Sequence, residues 1–453
     1  MKLDLDLIKI ANRQTKKSNF IVTSYVLGTK VNALFYSALK CFCKHRNADL
    51  LIIPLKNGKN QEIDELLRND IFVIRDVNLN KNLIVSSIFF KKKPSFNAIG
   101  TGRLGKESVI LGGTLQDISY IANGKDDLAK GRFVPGALND PDYLKDSFND
   151  KGSVLADSDH KLGAIVVEAE DINHFHIRPI QFIDGGFTDL GIRYSKSTFK
   201  KEVPEAIVLG DYHSGETDLT LINEISSLSN KLGVVDWVLH DTFSGSSINH
   251  HEQHNLTKRS IRADIGKLSL KNELEEYERN LDYMISKLKK RLIIVKSNHD
   301  EFLERYLSEG RYISEPQNLK ISLKLHLMLC EGLDPINKYL EGKLDKNKVI
   351  WLKRDESYLI KGIECGSHGD RGSNGVKRGS PQMLENAFLK SVTGHTHTPR
   401  LFREVFIVGT STAPYPDYGD GPSSWVQTSC IINKDGSRQL INYINGKYTT
   451  FKL

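Results

Sequence analysis

Five short apolar runs in the second half of the chain each end in side chains that bind divalent cations. AIVLG leads into Asp211, VVDWVLH into Asp241, and RLIIVKS into Asn298, His299 and Asp300. YLIKGIECGS leads into His368, and LKSVT into Gly394, His395 and His397. Such runs read as strands. In an α/β sheet the residues just past the strand ends gather at one edge, where active sites form. Carboxylate oxygen, imidazole nitrogen and amide oxygen are donors for hard and borderline cations. A single Asp-x-His or Gly-His-x-His arises easily by chance. Five clusters in order, each directly after an apolar run, are hard to explain without a shared sheet edge.

The remaining chain reads as more α/β structure. FIVTSYVLG is a strand, VNALFYSALKCFCKH a helix and ADLLIIPL another strand, followed by the β-rich runs IFVIRD and LIVSSIFF. From Asn97 to about Lys151 the chain is rich in Gly, Asn, Asp and Ser, which predicts long loops, and LGAIVVEAE returns to a strand. Leu274, Tyr277, Leu281, Met284 and Leu288 form the apolar stripe of a helix that packs on the sheet. The polar stretch with Pro204 marks a boundary, so an N-terminal α/β domain over 1–200 and a second domain over 201–453 are expected. No repeat appears at solenoid or propeller periods.

The motifs GDYHSG, LHDTFSG, KSNHDE, CGSHGD and TGHTHTP resemble those of the calcineurin-like metallophosphoesterases. The resemblance runs from about Pro204 to the C-terminus. It implies a two-layer β-sandwich flanked by helices, with two metals at the sheet edge. Asp211, His213 and His397 match the ligands of one metal, and Asn298, His368 and His395 those of the other. Asp241 matches the carboxylate that bridges both. His299 matches the histidine beside the scissile phosphate, and Asp300 the residue that orients it. A metal pair about 3.5–4 Å apart can activate water and clamp phosphate oxygens, while an imidazole can protonate the leaving oxygen near neutral pH.

The departures narrow the branch. His240 and Ser297 stand where the family has glycine, and neither change removes a ligand. DTFSG and SNHD differ from the Asp-Arg-Gly and Gly-Asn-His-Glu of the Ser/Thr protein phosphatases. SbcD-type DNA nucleases carry Gly-Asp-Leu-Phe-His there. Phe243 matches their Phe, but Ser244 replaces their His. A second histidine could come from His250, His251 or His254, with a polar loop as the alternative. Arg371, Lys377 and Arg378 follow His368 in a Gly-rich segment suited to phosphate. With His251, they are the expected substrate-binding residues. Tyr415, Tyr418 and Trp425 could stack on a base, or Trp425 could close the core. The basic runs Lys91–Lys93 and Lys289–Arg291 read as solvated faces. The Gly-rich loop, the SSW stretch and LGAIVVE also resemble pre-early DNases of tailed phages, which implies a DNA substrate and manganese.

Composition agrees with this class. The chain has 453 residues, with 63 Lys and Arg against 56 Asp and Glu, a net charge of +7 that permits a polyanionic partner without requiring one. No run approaches the roughly 18 apolar residues of a membrane span, and MKLDLDLIKIANRQTKK lacks a secretory core. The five cysteines, an odd count, read as reduced thiols in a cytoplasm, that of a host cell if the protein is phage-encoded, with Cys41 and Cys43 as packing residues. The expectation is a phosphodiesterase with two divalent ions acting on DNA. Manganese is the expected metal, although the same donors also suit magnesium, iron and zinc. The alternatives are a hydrolase of a nucleotide or other small phosphoester, and a non-catalytic DNA-binding protein. The first domain is expected to bind DNA or to make a homo-oligomer.

Overall fold

The computed structural model describes residues 8–13, 17–57, 62–87, 107–124, 129–142, 157–377, 379–413 and 421–451. The first part contains β1 (Lys9–Ile10), β2 (Asn19–Val26), α1 (Ala33–Arg46), β3 (Asp49–Leu55), β4 (Ile71–Phe72), β5 (Val77–Asn80), β6 (Leu83–Val85), β7 (Ser108–Ile110), β8 (Gln116–Ile121), β9 (Lys130–Pro135), β10 (Gly163–Ala169) and β11 (Phe175–Gln181). The short strands β12 (Phe187–Asp189), β13 (Ile192–Ser195) and β14 (Thr198–Lys201) form a small sheet of their own. Then come β15 (Ala206–Val208), α2 (Leu219–Leu232), β16 (Asp236–Leu239), α3 (Leu256–Asp264), α4 (Leu270–Asp282), β17 (Arg291–Ile294), α5 (Asp300–Ser308), α6 (Pro316–Cys330), α7 (Pro335–Leu340) and β18 (Val349–Trp351). The chain closes with β19 (Leu359–Ile360), β20 (Ile363–Glu364), α8 (Pro381–Phe388), β21 (Ser391–Thr393), β22 (Arg400–Phe402), β23 (Val405–Ile407), β24 (Thr428–Ile432) and β25 (Arg438–Asn442).

Alternating burial organises these elements into layers. In β15, β16 and β17 the side chains of Val208, Val238 and Ile293 pack toward the ten-stranded sheet. Their neighbours Ile207, Trp237 and Leu292 pack under the helices. In β2 and β3, likewise, Phe20, Val22, Leu51 and Ile53 face the ten-stranded sheet, while Ile21, Leu50 and Ile52 face α1. This two-residue period, with both faces apolar, is why the runs look uniformly hydrophobic in sequence. Two six-stranded sheets thus lie edge to edge, tied where the Asn442 Oδ1 accepts from Ile177 N at 3.0 Å. Both cover the ten-stranded sheet, and helices lie outside. Cys41 and Cys43 pack on the α1 side as small apolar residues. Among the described residues no helix is long and apolar enough to cross a membrane.

The sheet orders reveal a repeat that the sequence hides. One six-stranded sheet runs β1-β4-β3-β2-β10-β11 and the other β18-β17-β16-β15-β24-β25. In each, the first four strands are parallel and an antiparallel hairpin follows. The ten-stranded sheet runs β19-β20-β21-β23-β22-β8-β9-β7-β6-β5. It is palindromic about the antiparallel pair β22–β8, in pairing sense as well as in order. α1 and α2, each of 14 residues, follow equivalent strands. The one difference in strand order is β1, which precedes β2 in the chain whereas its counterpart β18 follows β17. The strands on either side of residue 200 therefore share a sheet and a core. The long loops expected from Asn97 to Lys151 give way, in the described part, to β7, β8 and β9 at the centre of that sheet. Alternation in QDISYI and GRFVP is short enough for the surrounding Gly and Asp to mask it.

Candidate metal centre

Parallel strands deliver the ligands to one place. β15, β16 and β17 run side by side, and Asp211 and His213, then Asp241, then Asn298 and His299 lie just beyond their C-terminal ends. β20 and β21, parallel in the ten-stranded sheet, deliver His368, His395 and His397. Asp211, His213, Asp241 and His397 have donor atoms within 4.8 Å of one another, as do Asp241, His368 and His395. Asp241 belongs to both groups. His213 Nε2 lies 3.0 Å from His397 Nε2, His397 Nε2 lies 3.1 Å from Asp211 Oδ2, and His368 Nε2 lies 3.1 Å from Asp241 Oδ2. Asp211, His213, Asp241, His368 and His397 are all buried.

The donor set fits a divalent cation. The buried oxygens Asp211 Oδ1, Asp241 Oδ1 and Asn298 Oδ1 accept no hydrogen bond, a costly arrangement unless a cation takes their place as partner. Asn298 sits between Ser297 and His299, and the His299 ring is 4.6 Å from that of His213. Burial, followed by the charge of His299, pushes His213 down to about 3, which keeps its imidazole neutral and able to ligate. Burial also penalises His368, but the Asp241 carboxylate outweighs it and raises this histidine to about 9. Burial likewise opposes ionisation of Asp241, yet His368 and His299 hold it well below the usual carboxylate range. The cluster of acids and histidines can thus hold metal ions.

His299 is held by the backbone. Its Nδ1 lies 2.6 Å from the Ser244 carbonyl oxygen, which can only accept, so Nδ1 carries a proton and Nε2 is free to take up or deliver another. The expectation that Asp300 orients this ring is corrected. Asp300 turns back to accept from Ser297 N at 2.8 Å and Ser297 Oγ at 3.1 Å, and burial pushes it up to about 7. The residue in place of the second nuclease histidine, Ser244, thus serves through its carbonyl. Glu273 of α4, absent from the sequence reading, fixes that turn: its carboxylate accepts from Ser246 N at 2.7 Å and Ser247 N at 3.1 Å. Its signal in the sequence, one of four Glu on an amphipathic helix, is indistinguishable from a surface residue.

Other predicted residues fall at varied distances from the cluster. His250 packs edge-on against Phe302 at 4.9 Å, and Phe302 lies 4.6 Å from His299. His251 lies tilted against His250, ring centroids 3.9 Å apart, but is exposed, as is His254. Arg371 is paired with Glu301 and, at 2.9 Å, with Asp355, while Lys377 is exposed across a bridge from it. Arg378, Lys91–Lys93, Tyr415 and Tyr418 lie outside the described residues. Phe243 points into the helix-side core, its ring 5.9 Å from Tyr277. Lys290 is buried rather than solvated, bonding Asn230 Oδ1 at 2.7 Å. His240 is fully buried beside His368, ring centroids 5.6 Å apart. Trp425 meets the His397 ring at 4.4 Å.

Compared with known proteins, the chain is similar to Protein A1 of Escherichia phage T5, with 26% identity over 465 residues that span 95% of this chain and 82% of that protein. No family model matches the chain.

Proposed function

We propose that this protein is a two-metal phosphodiesterase of the calcineurin-like kind, that its substrate is DNA, and that it is a phage-type nuclease. The observation that carries the reading is the pair of ligand groups sharing Asp241 beside a tautomer-fixed His299. Asp211, His213, Asp241 and His397 would hold one ion, and Asp241, Asn298, His368 and His395 the other. When bound, such a pair supplies a nucleophile from water and neutralises charge on the phosphate. The protein's own residues do the rest. Asp241 sets the spacing of the two groups. His299, protonated at Nδ1 against Ser244, carries a second proton on Nε2 when charged, ready for the leaving oxygen. The β-sandwich flanked by helices and the similarity to a phage protein support the reading. A single DNA-binding face spanning both halves of the chain is part of the same proposal.

The test begins with protein stripped by chelator, reloaded with manganese, and offered plasmid, linear duplex and single-stranded DNA beside a small aryl phosphodiester and a phosphomonoester. Cleavage of DNA that needs metal and vanishes in His299→Ala is the expected result. Hydrolysis of a small ester with DNA left intact would instead assign the site to a nucleotide or other small substrate.

A further inference from the structure

His240, between β16 and Asp241, is a fully buried imidazole, and neither its Nδ1 nor its Nε2 makes a hydrogen bond among the described residues. Buried polar side chains are rarely left in that state. Val238, two residues earlier and so on the same face, packs toward the ten-stranded sheet. The His240 ring meets that sheet at His368, with centroids 5.6 Å apart and planes tilted by 34°. Backbone contacts hold the pair in place. Gly394 N donates to the His368 carbonyl at 3.0 Å, and Tyr212 N donates to the His240 carbonyl at 3.0 Å. Gly394 also lies over His240, since a Cβ on it would stand 3.1 Å from the His240 Cβ.

His368 has the complementary need. Its Nε2 lies 3.1 Å from Asp241 Oδ2, within the group Asp241, His368 and His395, so Nε2 is the nitrogen on the ion's side. A neutral imidazole that ligates through Nε2 carries its proton on Nδ1, and His368 Nδ1 is buried with no acceptor. Metal-bound histidines almost always pass that N–H to an acceptor behind them, which fixes tautomer and ring orientation. His395, whose ring lies 5.2 Å from that of His368, belongs to the same ligand group; His240 belongs to neither group. We propose that His240 is the acceptor behind His368. In the loaded centre one His240 ring nitrogen accepts a hydrogen bond from His368 Nδ1, and this holds His368 toward the ion it shares with Asp241, Asn298 and His395. The proposal rests on the two-metal reading above and adds to it a positioning residue, at a place where the sequence resemblance leads one to expect glycine.

The experiment titrates chelator-stripped protein with manganese by calorimetry, using wild type, His240→Leu, His240→Asn and His240→Gln. Leu removes the acceptor and keeps most of the bulk; Asn offers an amide oxygen near the place of Nδ1, and Gln near that of Nε2. His240→Leu should bind one of its two ions about 10–100-fold more weakly and the other as wild type does, and one of the amides should restore the affinity. Saturation with cobalt should give every variant the visible spectrum of wild type, because the ligand set is unchanged. In zinc-loaded wild type, histidine nitrogen NMR should show a coupling across the hydrogen bond between His368 Nδ1 and a His240 ring nitrogen. That measurement decides even if His240→Leu fails to fold, and absence of the coupling overturns the proposal. So does wild-type affinity in His240→Leu, or a weakening of both ions that neither amide reverses, which is what a packing role alone predicts. A changed cobalt spectrum in His240→Leu overturns it as well, because His240 would then be a ligand itself. DNA cleavage assayed in parallel separates the two ideas. Two ions bound with His240-dependent affinity but no phosphodiester cut removes the diesterase reading alone; cutting with unchanged affinity in His240→Leu removes the role of His240 alone; and uptake of no ion by wild type overturns both.

Discussion

Backbone conformation at the candidate ligands carries its own information. His213 (φ 48°), Asp241 (φ 46°), His395 (φ 77°) and His397 (φ 55°) all adopt the left-handed region, which costs roughly 1–3 kcal/mol per residue unless the surroundings enforce it. His and Asp tolerate that region better than branched residues do, so the candidate ligands are also among the residues the turns accept. Gly394 serves the same turn by having no side chain. A Cβ there would stand 2.1 Å from Asp211 Oδ1, and that carboxylate cannot retreat because its other oxygen accepts from His395 N at 2.8 Å. Gly394→Ala is therefore expected to weaken metal binding at least tenfold while leaving the circular-dichroism spectrum unchanged; wild-type affinity in a calorimetric titration would refute this. Asp241→Asn should lower occupancy of both ions, since one carboxylate serves both groups, and metal analysis showing the loss of one ion only would remove the shared role. His299→Ala should keep the metals and reduce turnover by about 10²–10⁴; a variant as active as wild type would place the proton transfer elsewhere.

At the scale of elements, the site depends on a helix that supplies none of its candidate ligands. The turn 244–248 is held down by Glu273, which reaches from α4 to two backbone N–H groups and to Ser247 Oγ at 2.5 Å, and by Arg262, which donates to the Ser246 carbonyl at 2.8 Å. Releasing this turn frees the Ser244 carbonyl that fixes His299. Glu273→Ala leaves two N–H groups without acceptors, a loss of about 1–3 kcal/mol for each that stays buried. The expected outcome is a turnover at least tenfold lower with metal stoichiometry unchanged. Turnover and metal loss falling together would show that Glu273 supports the whole centre rather than His299. The clustering of the acids and histidines was legible because they follow apolar runs directly, and the helix over Leu274–Leu281 was legible from its stripe. The orientation of His299 was not, because it is made by a carbonyl, and every residue has one. Nor was the burial of Lys290, whose partners on α2 and the turn after it are distant in sequence.

At the scale of the whole molecule, the two halves repeat one topology, but among the described residues the cluster of acids and histidines lies in the second half. Asp211 bridges Thr410, which bridges Gln427; in the first half Ser24 bridges Ala137, which bridges Leu162. Ser24 thus holds the place of Asp211 in this ladder. A serine cannot replace a carboxylate, so at this position the first half lacks the donor while its sheets keep their order. That order escapes a sequence reading because it is stored in apolar alternation, which many different residues satisfy equally well. The halves meet at β8–β22, where Asp117 pairs with Arg400 at 2.8 Å. Burial raises Asp117 to about 6 against the attraction of Arg400 and Arg132. An acid raised by folding binds more protons folded than unfolded between about pH 4 and 6, so its contribution to stability falls as pH rises through that window. Two units correspond to about 3 kcal/mol. Asp117→Asn removes the titrating group while keeping its shape, so its denaturant midpoint should exceed that of wild type at pH 7 and match it near pH 4. A difference that stays constant across that range would mean that Arg400 fully compensates the buried charge, and that the seam between the halves is insensitive to pH.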